Sequence, residues 1–209
     1  GKDFYDDGMK SSFSQYDDVA LITLGRYSGE QQDFASNGDA NQDNGADENG
    51  DPIDNQGVRM LSLHQEERET IELAKSSGFK KIVVLLNTAT TMEVGELESL
   101  GVDACLWIGY PGYTGFEGVA KVLKGEYDPS GRTVDTYATN SLSSPAMRNF
   151  GSFNYSNVTD AGQNKYLVYA EDIYIGYKYY ETRYFDQVQG KNNAKNAIGS
   201  YASNGAWNY

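Results

Sequence analysis

The chain has 209 residues, enough for one large domain, and 30 acids against 17 bases give it a formal net charge of −13. A surface of that sign repels polyphosphate, so no nucleic-acid partner is expected. The single Cys105 excludes an internal disulfide, the single His64 excludes His-pair zinc motifs, and no metal or cofactor is expected; no apolar run approaches the roughly 18 residues that span a bilayer.

The first 16 residues carry no strand-like run. Val19-Ala-Leu-Ile-Thr-Leu24, closed by Gly25, is the first apolar run; Ile82–Leu86 and Ala104–Ile108 are the second and third. Runs of this length suit strands buried on both faces, as in a parallel sheet. By the same reading, Cys105 and Trp107 belong to the core. Between the first two strands the acidity is concentrated. Eight acids and no base lie between Arg26 and Arg59. The Asn/Asp/Gly-rich stretch 36–56 holds one large apolar residue, Ile53, and reads as a long loop or disordered insertion. Asp39, Asn41 and Asp43 have calcium-loop spacing, but Asn44 and Gly50 occupy the positions such a loop needs for Gly and Glu, so a solvated loop is the better account.

Helix starts follow from capping-box spacings at Ser62/Gln65, Thr90/Glu93 and Thr114/Glu117. His64 falls in the first turn of one of these helices, on the surface. The third helix has Phe116, Val119, Ala120 and Leu123 on one face and stops at Gly125. Strands alternating with helices give an α/β fold with an open, mostly parallel sheet. Beyond Gly131 the character changes. Residues 138–165 read as a traversing loop, Tyr166–Tyr184 as an amphipathic strand or extended segment rich in tyrosine, and 190–209 as an irregular tail.

Three elements in order carry a family resemblance: Pro111-Gly112; Val119-Ala-Lys-Val-Leu-Lys-Gly-Glu-Tyr-Asp-Pro-Ser-Gly-Arg132; and Ile173-Tyr-Ile-Gly-Tyr-Lys-Tyr-Tyr180. Over roughly Asp17 to Tyr184 the chain resembles the second domain of glycoside hydrolase family 3. The resemblance implies an α/β sandwich over 1–189, with its usual first strand missing, packed beside a (β/α)8 barrel and closing one side of a sugar pocket. The tail 190–209 would lead towards a fibronectin-like domain. An uncovered sheet edge would favour self-association into a homo-oligomer.

Leu24-Gly-Arg-Tyr-Ser-Gly-Glu-Gln-Gln-Asp33 resembles the family's strand followed by Ser-Gly-Glu-Gly-x-Asp-Arg, and places the general acid/base on Glu30, with Tyr27, Ser28 and Asp33 as candidate substrate-binding neighbours. Gln31 and Phe34 stand where the family has Gly and Arg. The residues agree with that placement. Glu30 follows the carboxyl end of a predicted parallel strand, where open α/β sheets gather ligand groups, and Ser28-Gly29 permits a tight turn. A carboxylic acid there can protonate a leaving glycosidic oxygen and later deprotonate the attacking water. The plainer alternative is one more solvated acid in an acid-rich loop. The family's nucleophilic Asp lies on the barrel, which needs about 250 residues and has no room in this chain. The expectation is therefore a fragment of a retaining β-glycosidase, β-glucosidase-like, inactive alone, whose substrate in the parent is a β-linked oligosaccharide or glucoside. A structural or small-molecule-binding α/β module with no catalytic residue is the alternative. The wording from Ser130 to Tyr137 resembles secreted or cell-surface bacterial members of the family.

Overall fold

The computed structural model describes residues 4–26, 61–139, 141–144, 146, 153–159, 164–166 and 171–190. The chain divides into two compact units, 1–134 and 135–209.

The first unit opens with a short helix, α1 (Asp7–Ser12), capped by Asp6, whose carboxylate accepts the Met9 N–H at 2.7 Å. All three predicted strands form: β1 (Val19–Arg26), β2 (Lys81–Thr88) and β3 (Ala104–Trp107). They pair in parallel in the order β1-β2-β3, with Val19 opposite Lys81 and Val83 opposite Ala104. Helices α2 (Gln65–Ser76), α3 (Glu96–Ser99) and α4 (Gly112–Leu123) alternate with them. This is the open parallel α/β architecture that the alternating pattern implies.

Burial departs from expectation in a way that explains the core. Only β2, flanked by a strand on each side, is buried on both faces. Strand β1 alternates: Leu24 is 2% exposed and Leu21 is 53% exposed. α2 packs on the inner face of β1 and β2, bringing Ile71 and Ala74 against the sheet. Ile22, Leu24, Ile82, Val84 and Leu86, with Leu63, Met92 and Leu97, complete the core. Full burial of one such side chain stabilises by about 1.5–3 kcal/mol. Cys105 and Trp107 are exposed rather than core, because no described helix covers the outer strand β3. Partial desolvation still pushes the Cys105 thiol up to about 11. The apolar stripe of α4 is likewise unburied, and Phe116 and Leu123 face outward.

All three predicted caps are displaced. Ser62 does not cap α2: its hydroxyl donates to Glu93 Oε2 at 2.8 Å, and the helix starts two residues later with His64 as N-cap. There the Glu67 carboxylate accepts the His64 N–H at 2.8 Å. Thr90 opens no helix, since its N–H binds Thr88 Oγ1 and the Glu93 N–H binds the Leu61 carbonyl. The helix predicted there shrinks to the single turn of α3. Thr114 lies inside α4, which Pro111 precedes. Both α3 and α4 end in a left-handed glycine, Gly101 and Gly125, with the paired backbone bonds of a Schellman motif.

At the opposite end of the sheet, Asp103 accepts Lys81 Nζ at 2.6 Å and the Ile82 N–H at 2.9 Å, and these bonds hold its carboxyl below the usual 3.8. A depressed folded-state value contributes stability above 3.8 that is lost as pH falls through it. Asp103→Asn is therefore expected to lower the melting temperature at pH 7 and to lower it progressively less as pH falls below 3.8, as thermal melts across that range would show.

The second unit contains an antiparallel pair, β4 (Phe153–Asn154) with β5 (Lys165–Tyr166), and a helix, α5 (Tyr177–Val188). The tyrosine-rich segment is thus helical at its end rather than extended. A turn with Gly176 at φ 58° releases the chain into α5. Tyr179, Tyr180 and Arg183 then recur at helical spacing and are buried. Arg183 lies over the Tyr179 ring and donates to its hydroxyl at 2.8 Å.

Candidate functional site

The carboxyl ends of β1, β2 and β3 form one edge of the first unit, where open parallel sheets gather their functional groups. Glu30, Tyr27, Ser28 and Asp33 lie outside the described residues, as do the stretch 36–56 and residues 191–209. The structure does describe the point from which the Glu30 segment departs and the point to which it returns.

Arg26 ends β1. Its position follows the period-2 pattern of the strand: Ile22, Leu24 and Arg26 all face the core. A buried cation is costly unless paired and hydrogen-bonded. Arg26 meets that requirement by meeting Glu67 of α2 in a two-point fork, Nη1 to Oε1 at 2.5 Å and Nη2 to Oε2 at 2.8 Å. The side chains are 6% and 17% exposed. Nη2 also donates to the Ser62 carbonyl at 2.8 Å, 36 positions along the chain. Glu67 serves two purposes at once, since the oxygen that receives Nη2 also caps α2, where a negative charge suits the positive end of the helix.

Two further layers of bonds extend this node. Ser62 Oγ donates to the buried Glu93, whose N–H binds the Leu61 carbonyl at 2.8 Å. From the β3–α4 connection, Tyr110 Oη donates to the Arg26 carbonyl at 2.8 Å. Asn87 donates to the Gly109 carbonyl and Trp107 Nε1 to the Thr88 carbonyl, fixing the ends of β2 and β3 to each other. Gly109 has φ 58°, and a Cβ there would stand 3.5 Å from the Trp107 ring. The result is a polar floor with exposed aromatic edges at Trp107, Tyr110 and Tyr113.

Sequence reasoning names the Glu30 motif, which lies outside the described residues, and passes over Arg26, Glu67 and Tyr110. A signal for the first was present. An Arg in the core-facing register of a strand requires a carboxylate from elsewhere in the fold, and Glu67, at N3 of the next helix, was within reach. Nothing in the sequence marks Tyr110 among its 17 tyrosines. Among the described residues, no group of three His, Cys, Asp or Glu side chains is arranged to hold a metal ion, and no helix is long and apolar enough to cross a membrane.

Comparison with known proteins places this edge in context. A family model described as the glycosyl hydrolase family 3 C-terminal domain matches residues 9–177. A β-glucosidase of Ruminococcus albus is 28% identical over 88% of this chain and 16% of its own length. β-Glucosidase A of Butyrivibrio fibrisolvens is 26% identical over 80% of this chain and 19% of its own. Among solved structures, β-glucosidase 3B from Thermotoga neapolitana, in complex with glucose, superposes with a TM-score of 0.61 at 27% identity, covering 86% of this chain and 22% of that one. The chain thus spans about a fifth of the length of the relatives it matches.

Proposed function

Since the chain belongs to glycosyl hydrolase family 3, as its C-terminal α/β domain, we propose that it supplies the general acid/base loop of a retaining β-glycosidase whose remaining active-site groups lie on a barrel domain. The observation that supports this most directly is where the Ser28-Gly-Glu30 motif falls. It begins two residues after Arg26, at the carboxyl end of a parallel strand whose last residue is pinned on all sides by hydrogen bonds. In this reading Glu30 protonates the leaving oxygen as the glycosidic bond lengthens, then removes a proton from the water that releases the sugar. The nucleophile is an Asp of the barrel.

The relatives named above are β-glucosidases, and a β-glucoside or β-linked oligosaccharide is the substrate class proposed here. Tyr27, Ser28 and Asp33 are proposed to contact the sugar. The isolated 209-residue chain, without the second carboxylate, is proposed to be inactive. The test is Glu30→Ala in the full-length protein. Turnover of an aryl β-glucoside should collapse and return on addition of azide, with a β-glucosyl azide as the new product. Undiminished turnover would remove Glu30 from the mechanism.

A further inference from the structure

We propose that two copies of this chain pair through the face of the three-stranded sheet rather than its edge, with α4 of each copy lying on the sheet of the other.

The sheet has one covered face and one open one. In the parallel register Val19 lies beside Lys81, Leu21 beside Val83 and Ala104, and Thr23 beside Leu85 and Leu106, all on the face opposite α2. Around the buried Leu85, Val19 and Leu21 are 46% and 53% exposed. Among the described elements only α2 contacts the strands, and it does so from the other side. Helix α4 presents the matching surface. Phe116, Val119 and Leu123 recur at helical spacing, none is buried, and α4 contacts no other described strand or helix.

The connection that leads into α4 holds it off its own sheet. The Ile108 N–H donates to the Leu86 carbonyl at 3.0 Å, Asn87 to the Gly109 carbonyl, and the Tyr110 hydroxyl to the Arg26 carbonyl at 2.8 Å. Residues 108–110 are thereby pinned along the carboxyl edge of the strands. Left-handed glycines at 109 and 112, with φ 58° and 62°, then turn the chain into the helix. A helix steered away from a surface it complements finds that surface on a second copy, the principle of an exchanged dimer.

Size and charge both favour this arrangement. At about 3.3 Å per residue and about 4.8 Å between strands, the open face measures roughly 300 Å². Two such faces laid together give about 600 Å², half of the roughly 1,200 Å² that the smallest stable interfaces bury. The stripe of α4, about 18 Å long and about 10 Å wide, adds roughly 200 Å² from each copy. The total then approaches about 1,000 Å², and the affinity expected is micromolar. A chain of net charge −13 repels its copies in general. On the strand positions of the open face, however, only Lys81 is charged, and it is paired with Asp103. Helix α4 and its C-cap carry Lys121 and Lys124 against Glu117. The contact therefore sets a neutral face against a helix of slight positive charge.

The test uses the 209-residue chain. Sedimentation velocity at micromolar concentrations is expected to show a monomer–dimer equilibrium. Leu21→Asp and Phe116→Lys, both at exposed positions, should each weaken it about 100-fold or more while the far-UV circular dichroism stays unchanged. Mixed in equal amounts, the two variants should form a heterodimer, because one of its contacts is native and the other sets a carboxylate against an ammonium. A wild type that is monomeric throughout overturns the proposal, as does a dimer that survives Leu21→Asp. A dimer that survives Phe116→Lys is sheet against sheet and also overturns it. A mixture that stays monomeric rejects the exchange. If a variant loses its fold, hydrogen exchange of the wild type decides. Slower exchange of the α4 amides at higher chain concentration supports the contact, and exchange independent of concentration overturns it.

Discussion

Glu67→Ala is expected to destabilise the 1–134 unit by about 3–5 kcal/mol, because it removes from the interior the carboxylate that meets the buried Arg26 guanidinium at two points. The magnitude follows from burial rather than from the ion pair as such. Arg26 is 6% exposed and Glu67 17%, so neither charge can turn to water when its partner is removed. The next residue along α2 is the natural control. Arg68 makes an equally short fork with Glu96, at 2.6 and 2.7 Å, and that hydrogen-bonded carboxylate raises the pKa of the guanidinium. Those side chains are 31% and 48% exposed, however, and Arg68→Ala should cost no more than about 1 kcal/mol. Urea unfolding monitored by circular dichroism would distinguish the two through their midpoints at constant m-value. Arg26→Met combined with Glu67→Leu removes both charges and is expected to recover most of the loss. Equal midpoints for Glu67→Ala and Arg68→Ala would show that the buried fork contributes no more than a surface pair.

The second large effect is kinetic. Glu30→Gln in the full-length protein is expected to lower kcat/KM about 10²- to 10⁴-fold, the usual range for a lost general acid/base. The loss should grow with the basicity of the leaving group. A dinitrophenolate departs with little help from a proton, whereas an alkoxide from a disaccharide needs it fully transferred in the transition state. A plot of log(kcat/KM) against leaving-group pKa should therefore be steeper for Glu30→Gln than for the wild type. With activated aryl glucosides the slow step should move to hydrolysis of the glycosyl-enzyme, which is the step azide accelerates. Parallel plots would mean that Glu30 transfers no proton.

The three strands were legible because apolar runs of five or six residues leave little choice in a helix-alternating chain. Their burial was not. Whether a run is covered on one face or both depends on where helices pack, and Leu21 and Leu24 look alike until α2 is placed on one side of β1. Helix starts were legible only to within a turn. Ser62, Thr90 and Glu93 have the right residue types for capping, but Ser62 and Glu93 engage each other across the fold and Thr90 engages Thr88 two residues before it. The tyrosine-rich segment was misread because Tyr177, Tyr179 and Glu181 offer a period of two, while the buried set Tyr179, Tyr180 and Arg183 follows the helical period. Of the candidate site, the motif at Glu30 could be read directly. Its anchorage could not, since the bonds from Arg26 to Ser62 and Glu67 join residues 36 and 41 positions apart.

The pairing of β1 with β2 has a consequence for synthesis. Partners in β2 and β3 lie about 20 positions apart, while those in β1 and β2 lie about 60 apart, with the acidic segment between them. During translation at about 5–20 residues per second, β1 therefore waits several seconds for Lys81 to emerge. Over that interval Val19-Ala-Leu-Ile-Thr-Leu24 is an unpaired apolar strand, the kind of segment that chaperones bind and that aggregates seed from. Pulse-labelled hydrogen exchange during refolding should accordingly find the amides of β2 and β3 protected before those of β1. The eight acids that follow Arg26 would then work on the nascent chain, as a charged flank that keeps a sticky strand in solution until its partner arrives.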